Sequence, residues 1–291
     1  MGRIVPPAAM PRALCLLHAN CQGEALRPLL EATPAFARHF RVLHVLNYTR
    51  AALPEDLLDS CALYLHQELG AKWGELSSDE VRRRLPPSCR TLRLPNLFFQ
   101  GYWPTWTRLP GVDFADTLLE GLLRRGLSPL EASLVYERSR PSFFGDPASI
   151  AEASLRREEE KEQDAPIRCA PLLRELWRTE QLFITVNHPA RRLVLHVADN
   201  VLRLLGLGGL PDSVARAYAH PQEDFWLPLP PALGLPESDG GLALPFAGRQ
   251  RRYRIFARQM TAAGYARCYL SCRAAGEGNL LTFLAHLEPE A

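Results

Sequence analysis

The stretch Leu14-Cys15-Leu16-Leu17-His18-Ala19-Asn20-Cys21-Gln22-Gly23 decides how the chain is read. A short apolar run stops abruptly in side chains that can hydrogen-bond, coordinate or attack, and residues 24–30 then take up a helix-like pattern. A buried strand running through a polar turn into a helix is the building unit of open α/β sheets, and that turn is where they place their chemistry. Working outward, residues 41–46, 62–66, 91–94 and 182–186 also read as short buried strands, and residues 78–85 and 190–205 as helices. Strands alternating with helices predict parallel crossover units and a sheet covered on both faces.

The helix at 190–205 is the best defined, because Leu193, Val197, Val201 and Leu205 recur every four residues as a core stripe. Pro189 suits its first position, which makes His188 the expected N-cap, and Gly206, Gly208 and Gly209 stop it. Between residues 113 and 177 the pattern is helix after helix, at 113–125, 128–138 and 148–163, so a helical insertion is expected there. Its run Arg156-Arg157-Glu158-Glu159-Glu160-Lys161-Glu162 reads as a solvated helix face. Residues 228–236 read as an irregular Pro-rich connection, and 251–256 and 267–272 as further strands, a hairpin on the sheet edge. The expected organisation is an α/β core of residues 12–112 and 180–210, a helical insertion or lid of 113–179, and a C-terminal extension of 211–291 packed on the core.

Composition narrows the function. The 291 residues carry a formal charge of only +2, scattered rather than blocked, so neither a nucleic-acid backbone nor an acidic membrane is an expected partner. Seven cysteines, odd in number and unevenly spaced, predict reduced thiols in a cytoplasmic protein rather than a disulfide framework. Arg3 and Arg12 flank a Pro/Ala segment that lacks a secretory apolar core, Met1-Gly2 lacks the rest of a myristoylation signal, and no apolar run approaches the roughly 20 residues of a membrane span.

The unusual polar residues follow the expected strands. Cys21 follows the first, Gln67 the third, Asn96 the fourth and His188 the fifth, so all four are expected on one edge of a parallel sheet, at one crevice. Cys21 is the candidate nucleophile, since a helix N-terminus favours the thiolate below the free value of about 8.5. The free N–H groups there, with the Asn20 and Gln22 amides, make a candidate oxyanion hole. The bland alternative is a small thiol filling a tight turn. His188 is the candidate base, kept neutral at a helix start, its alternative role being a cap. His18 can orient Cys21 or serve as a loop residue; Gln67 and Asn96 can orient neighbours or bind hydroxyls. The aromatic run 98–106, with Tyr102 and Trp103, can stack on a sugar or an adenine, or fill core. Cys268 and Cys272 lack partners for a zinc site, so no metal is expected, and both a phosphate loop and a Gly-x-Ser-x-Gly elbow are missing, which disfavours an ordinary serine hydrolase.

His18-Ala19-Asn20-Cys21-Gln22-Gly23, Leu94-Pro95-Asn96 followed by Gly101-Tyr102-Trp103-Pro104, and Phe183-Ile184-Thr185-Val186-Asn187-His188-Pro189 together resemble the signatures of the WcbI-type polysaccharide-biosynthesis acetyltransferases, over roughly residues 12–210. Ala19 stands where that family often has glycine. The resemblance implies an O-acetyltransferase that takes acetyl from acetyl-CoA and gives it to a sugar hydroxyl in bacterial capsular or exopolysaccharide assembly. It also implies a core like that of SGNH hydrolases, with Cys21 in the place of their serine and His188 in that of their base. Gly23 and Asn187 belong to the same motifs, and Arg191 and Arg192 are the expected grips on the phosphates of coenzyme A. A cysteine-dependent esterase or thioesterase, and a non-catalytic sugar- or nucleotide-binding accessory protein, are the alternatives.

Overall fold

The computed structural model describes residues 12–286; the expectations for the first eleven residues lie outside that range. The chain divides into two compact units. The first takes the chain up to Asn96, Ala165–Ile167 and Val194–Ala219; the second takes Leu97–Asp164, Arg168–Leu193 and the chain from His220 on.

The first unit is built as the opening stretch requires. In chain order it runs β1 (Ala13–Ala19), α1 (Gln22–Ala32), α2 (Pro34–Ala37), β2 (Phe40–Leu46), α3 (Glu55–Asp59), β3 (Cys61–Gln67), α4 (Ser78–Arg84) and β4 (Arg90–Leu94). The four strands form a parallel sheet in the order β2-β1-β3-β4. Consecutive side chains of a strand point to opposite faces, so burial of Cys15, Leu16 and Leu17 alike means that β1 is covered on both sides. On one face Leu16, Tyr64 and Cys61 pack with Leu58, Leu76, Val81 and Leu85. β2 and β4 are edges and alternate or taper toward exposure. Within this unit Arg90 donates to the carbonyls of Leu204 and Leu205, tying the start of β4 to the end of the later helix α9.

The second unit opens with helices whose caps are legible in the sequence. They are α5 (Thr117–Arg124), α6 (Pro129–Glu137), α7 (Pro147–Lys161) and α8 (Ala170–Leu176). Asp116 caps α5 through Leu118 and Leu119, Ser128 and Glu131 form a reciprocal capping box on α6, and Asp146 accepts from Ala148 and Ser149 at α7, with Pro129 and Pro147 at first-turn positions. The helices expected between residues 113 and 177 are therefore present. The charged run on α7 is not simply solvated. Glu158 and Glu162 are buried, and one Glu162 oxygen accepts from the N–H groups of Cys169 and Ala170 at 2.8 and 2.7 Å, capping α8 from a distant turn. The sequence shows only charge; burial of two of its carboxylates is decided by what packs on that face.

Two further expectations are corrected. Residues 182–186 do not supply a fifth strand to the parallel sheet: β5 (Phe183–Thr185) turns at Val186-Asn187 and pairs antiparallel with β6 (His188–Pro189). A short β-branched apolar run announces a strand but not its partner. α9 (Arg191–Leu204) accordingly begins after Ala190, and His188 is a strand residue rather than its N-cap. After α10 (Asp212–Ala217), β7 (Arg252–Ile255) falls within the strand expected at 251–256, but it pairs with β8 (Arg258–Thr261) rather than with 267–272, as a separate two-stranded sheet and not on the edge of the parallel one, followed by α11 (Ala262–Ala274) and α12 (Leu280–His286). Residues 267–272 therefore lie in a helix, whose start is capped by the Thr261 hydroxyl accepting from Gly264.

Candidate functional site

In the first unit, Asn20, Cys21 and Gln22 form the turn at the carboxyl end of β1, beside Gln67 at the end of β3 and Asn96 just past β4. Gln67 holds them together. Its Oε1 accepts from Asn20 N–H at 2.9 Å and from Asn47 Nδ2 at 3.4 Å, while its Nε2 donates to Gln22 Oε1 at 3.2 Å and to the Pro95 carbonyl at 3.1 Å. A primary amide has two donor hydrogens and two acceptor lone pairs, and all four are used, so Gln67 is a brace and not a reader of substrate hydroxyls. Asn20 Nδ2 donates to Asn96 Oδ1 at 3.3 Å, and Asn20 Oδ1 accepts from Gln22 N–H at 2.9 Å. Asn47 was not anticipated, yet it obeys the same rule, standing directly after the last residue of β2.

This bonding changes the reading of the helix start. Gln22 N–H serves Asn20 Oδ1, Gly23 N–H serves the Asn20 carbonyl at 2.9 Å, and Glu24 N–H serves the Cys21 carbonyl at 3.1 Å. The row of free donors expected for an oxyanion hole is largely engaged by the turn itself. Cys21 occupies the N-cap position of α1 with a half-buried thiol. Burial is the larger influence on it, followed by the negative charge of Glu24, and together they overcome the backbone N–H groups of Cys21 and Gln22 to push the thiol up to about 11. The expected thiolate is therefore a neutral thiol in the resting protein.

Gly23 is required by packing. A methyl at its Cα would lie 2.5 Å from His44 Nε2, which donates to the Ala19 carbonyl at 3.2 Å and so braces the end of β1. His18 points away from a role in orienting a nucleophile: it is wholly buried, its Nδ1 is 3.0 Å from the Tyr64 hydroxyl, and burial, then His44, lowers it to about 4.

The second unit positions His188 by a different device. Thr185 donates its hydroxyl hydrogen to Asn187 Oδ1 at 3.1 Å, so the His188 Nδ1, 3.0 Å from Thr185 Oγ1, is the donor to that hydroxyl oxygen. That fixes the proton on Nδ1 and gives Nε2 the lone pair. Burial, then His220, lowers His188 to about 4, so the ring is neutral near pH 7, as expected of a base, but through burial rather than a helix start. His220, which no local pattern singled out, donates from Nε2 to the Pro189 carbonyl at 3.0 Å and accepts from Gln222 N–H at Nδ1, clamping the β6 backbone. Tyr102 and Trp103 are core: the Tyr102 hydroxyl meets the Trp177 and Glu180 carbonyls, and Trp103 Nε1 donates to the Pro228 carbonyl. Arg191 and Arg192 stand in the first turn of α9, Arg192 exposed and Arg191 half-buried.

A family model described as the polysaccharide biosynthesis enzyme WcbI matches residues 14–210. Among solved structures, the chain is similar to WcbI, described as a novel polysaccharide biosynthesis enzyme, in its native form without a disulfide bond between coenzyme A and one of its cysteines. That chain is 19% identical with a TM-score of 0.64, the likeness covering 94% of this chain and 99% of that one. At this identity the likeness speaks for the fold. No curated protein matches the chain.

Proposed function

The chain belongs to the WcbI family of polysaccharide biosynthesis enzymes, and on that premise we propose that it is a coenzyme A-dependent O-acetyltransferase that acetylates a sugar hydroxyl. The observation that carries the reading is the Cys21 turn: a half-buried neutral thiol walled by bonded amides. Coenzyme A, which is named with the structural neighbour, is the proposed acetyl carrier, with its sulfur end at the Cys21 turn. Arg191 and Arg192 are the proposed grips for its phosphates. The core is proposed to follow the SGNH-like plan, in which the turn after the first strand carries the reactive side chain.

In the proposed reaction His188 Nε2 takes the proton of the sugar hydroxyl, the oxygen attacks the acetyl carbonyl, the carbon–sulfur bond breaks, and the proton passes to the coenzyme A sulfur. Thr185 and Asn187 hold His188 in the tautomer that this step needs. The resistance of Cys21 to ionisation favours direct transfer over an acetyl-Cys21 intermediate.

The test follows release of the coenzyme A thiol from acetyl-CoA with and without a panel of acceptor sugars. Release that requires sugar, falling by about 10²- to 10⁴-fold in His188→Gln, is the expected result. Rapid release independent of any sugar overturns the transferase in favour of a thioesterase. Mass spectrometry of protein quenched during turnover should find the Cys21 peptide unacetylated; acetyl on it establishes the covalent route.

A further inference from the structure

We propose that Cys61 and Cys89 are a modification site, a thiol pair that a small-molecule disulfide closes into an intramolecular cystine. The two sulfurs are 3.7 Å apart, and the Cys89 S–H has Cys61 Sγ and, at 3.6 Å, the Arg90 carbonyl within reach. Cys61 opens β3 and Cys89 stands one residue before β4, on neighbouring strands whose register pairs Leu63 with Arg90. That register sets Cys89 beside Ala62, one residue on from Cys61, so with strands about 4.8 Å apart and a rise of about 3.3 Å per residue the Cα atoms are about 5.8 Å apart, inside the roughly 4.4–6.8 Å that a disulfide spans. Closure therefore asks only that the sulfurs approach to about 2.05 Å, within reach of side-chain rotation at Cys89, which is outside a strand.

The two thiols divide the work. Cys61 is buried and packs in the apolar cluster with Leu16 and Tyr64, whereas Cys89 is half-buried at the surface of the same cluster. The Cys61 S–H is directed at the Leu63 carbonyl at 3.3 Å, which leaves its lone pairs facing Cys89, and Cys89, the more exposed of the two, is the sulfur that a small disulfide reaches first. Cys15, the third thiol of this region, is wholly buried and its burial pushes it up, which leaves it inert. The pair lies at the amino ends of the parallel strands, whereas Cys21 follows the carboxyl end of β1, so this chemistry is separate from the Cys21 turn.

The sequence of steps balances with oxidised glutathione as oxidant. Cys89 sulfur attacks one glutathione sulfur, the old sulfur–sulfur bond breaks, and the first glutathione leaves as a thiol with the Cys89 proton. Cys61 sulfur then attacks Cys89 sulfur, the mixed disulfide breaks, and the second glutathione leaves with the Cys61 proton. Both cysteines are oxidised and one glutathione disulfide is reduced to two thiols.

The test treats the reduced full chain with oxidised glutathione, blocks free thiols and digests with trypsin without reduction. Cleavage after Arg50 and Lys72, and after Arg84 and Arg90, places Cys61 and Cys89 in separate peptides, while Cys15 and Cys21 share a third. The expected product joins residues 51–72 to 85–90, raises the thermal midpoint, and is reversed by dithiothreitol. Cys89→Ser abolishes both effects and Cys21→Ser keeps both. Glutathione retained on Cys89 beside a free Cys61, or a link from residues 51–72 to the Cys15 peptide, overturns the proposal.

Discussion

Gln67→Met isolates the brace beneath the Cys21 turn. The thioether nearly matches the amide in volume, so the substitution removes polarity without opening a cavity. Gln67 is 1% exposed and has four partners, of which the Asn20 N–H and the Pro95 carbonyl are backbone groups held at 2.9 and 3.1 Å. A buried backbone group that loses its partner costs about 1–3 kcal/mol, so the two together cost about 2–6 kcal/mol. The longer Asn47 contact, at 3.4 Å, adds little. The expected net loss is about 3 kcal/mol, read as a lower urea midpoint with an unchanged slope, followed by tryptophan fluorescence. Because the lost bond fixes the Asn20-Cys21 turn, modification of Cys21 by a maleimide should accelerate in parallel. A change below about 0.5 kcal/mol, the range of ordinary surface substitutions, refutes the bracing role.

Gly23→Ala gains up to about 1 kcal/mol of helix propensity but drives a methyl into His44 and breaks the bond to Ala19, at about 1–3 kcal/mol for overpacking, so a lower thermal midpoint is expected. Adding His44→Ala should restore it, and a cycle with no coupling rejects the clash. Glu162→Leu orphans the first N–H groups of α8 and should cost about 2–3 kcal/mol in chemical denaturation, whereas Glu162→Gln, which keeps one acceptor oxygen, should cost less; equal losses remove the capping argument. The folded protein holds His18, His66, His188 and His220 near 4 by burial, against an ordinary value of 6.5. Between those values the unfolded chain binds more protons, so stability is complete above pH 6.5 and falls as the pH drops toward 4. Glu158, raised to about 7, and Asp116, also raised, act in the opposite direction, but four imidazoles outweigh two carboxyls. A thermal midpoint that holds steady or rises on acidification from about pH 7 to about pH 4.5 contradicts this.

The strands of the first unit were legible because each is a compact apolar run ended by polar residues, and the polar rule placed Cys21, Gln67 and Asn96 at the ends of neighbouring parallel strands. Helix starts in the second unit were legible for a local reason too: Asp116, Ser128 and Asp146 satisfy N–H groups only two or three residues away. Partner choice was not. Residues 183–185 carry the signal of a strand, but whether they extend the sheet or fold back on His188-Pro189 depends on what else competes for their backbone.

The sequence alone thus determined the α/β class, the alternation of strands and helices in the first unit and the identity of the polar turn, because periodicity, caps and strand ends are written in consecutive residues. Tertiary structure decided the state of each reactive group. It made Cys21 a thiol by burying it, set the His188 proton through Thr185, enclosed Glu158 and Glu162, and brought Cys61 against Cys89 across 27 intervening residues. Charge and protonation follow from desolvation and from partners distant in the chain, which no local pattern contains.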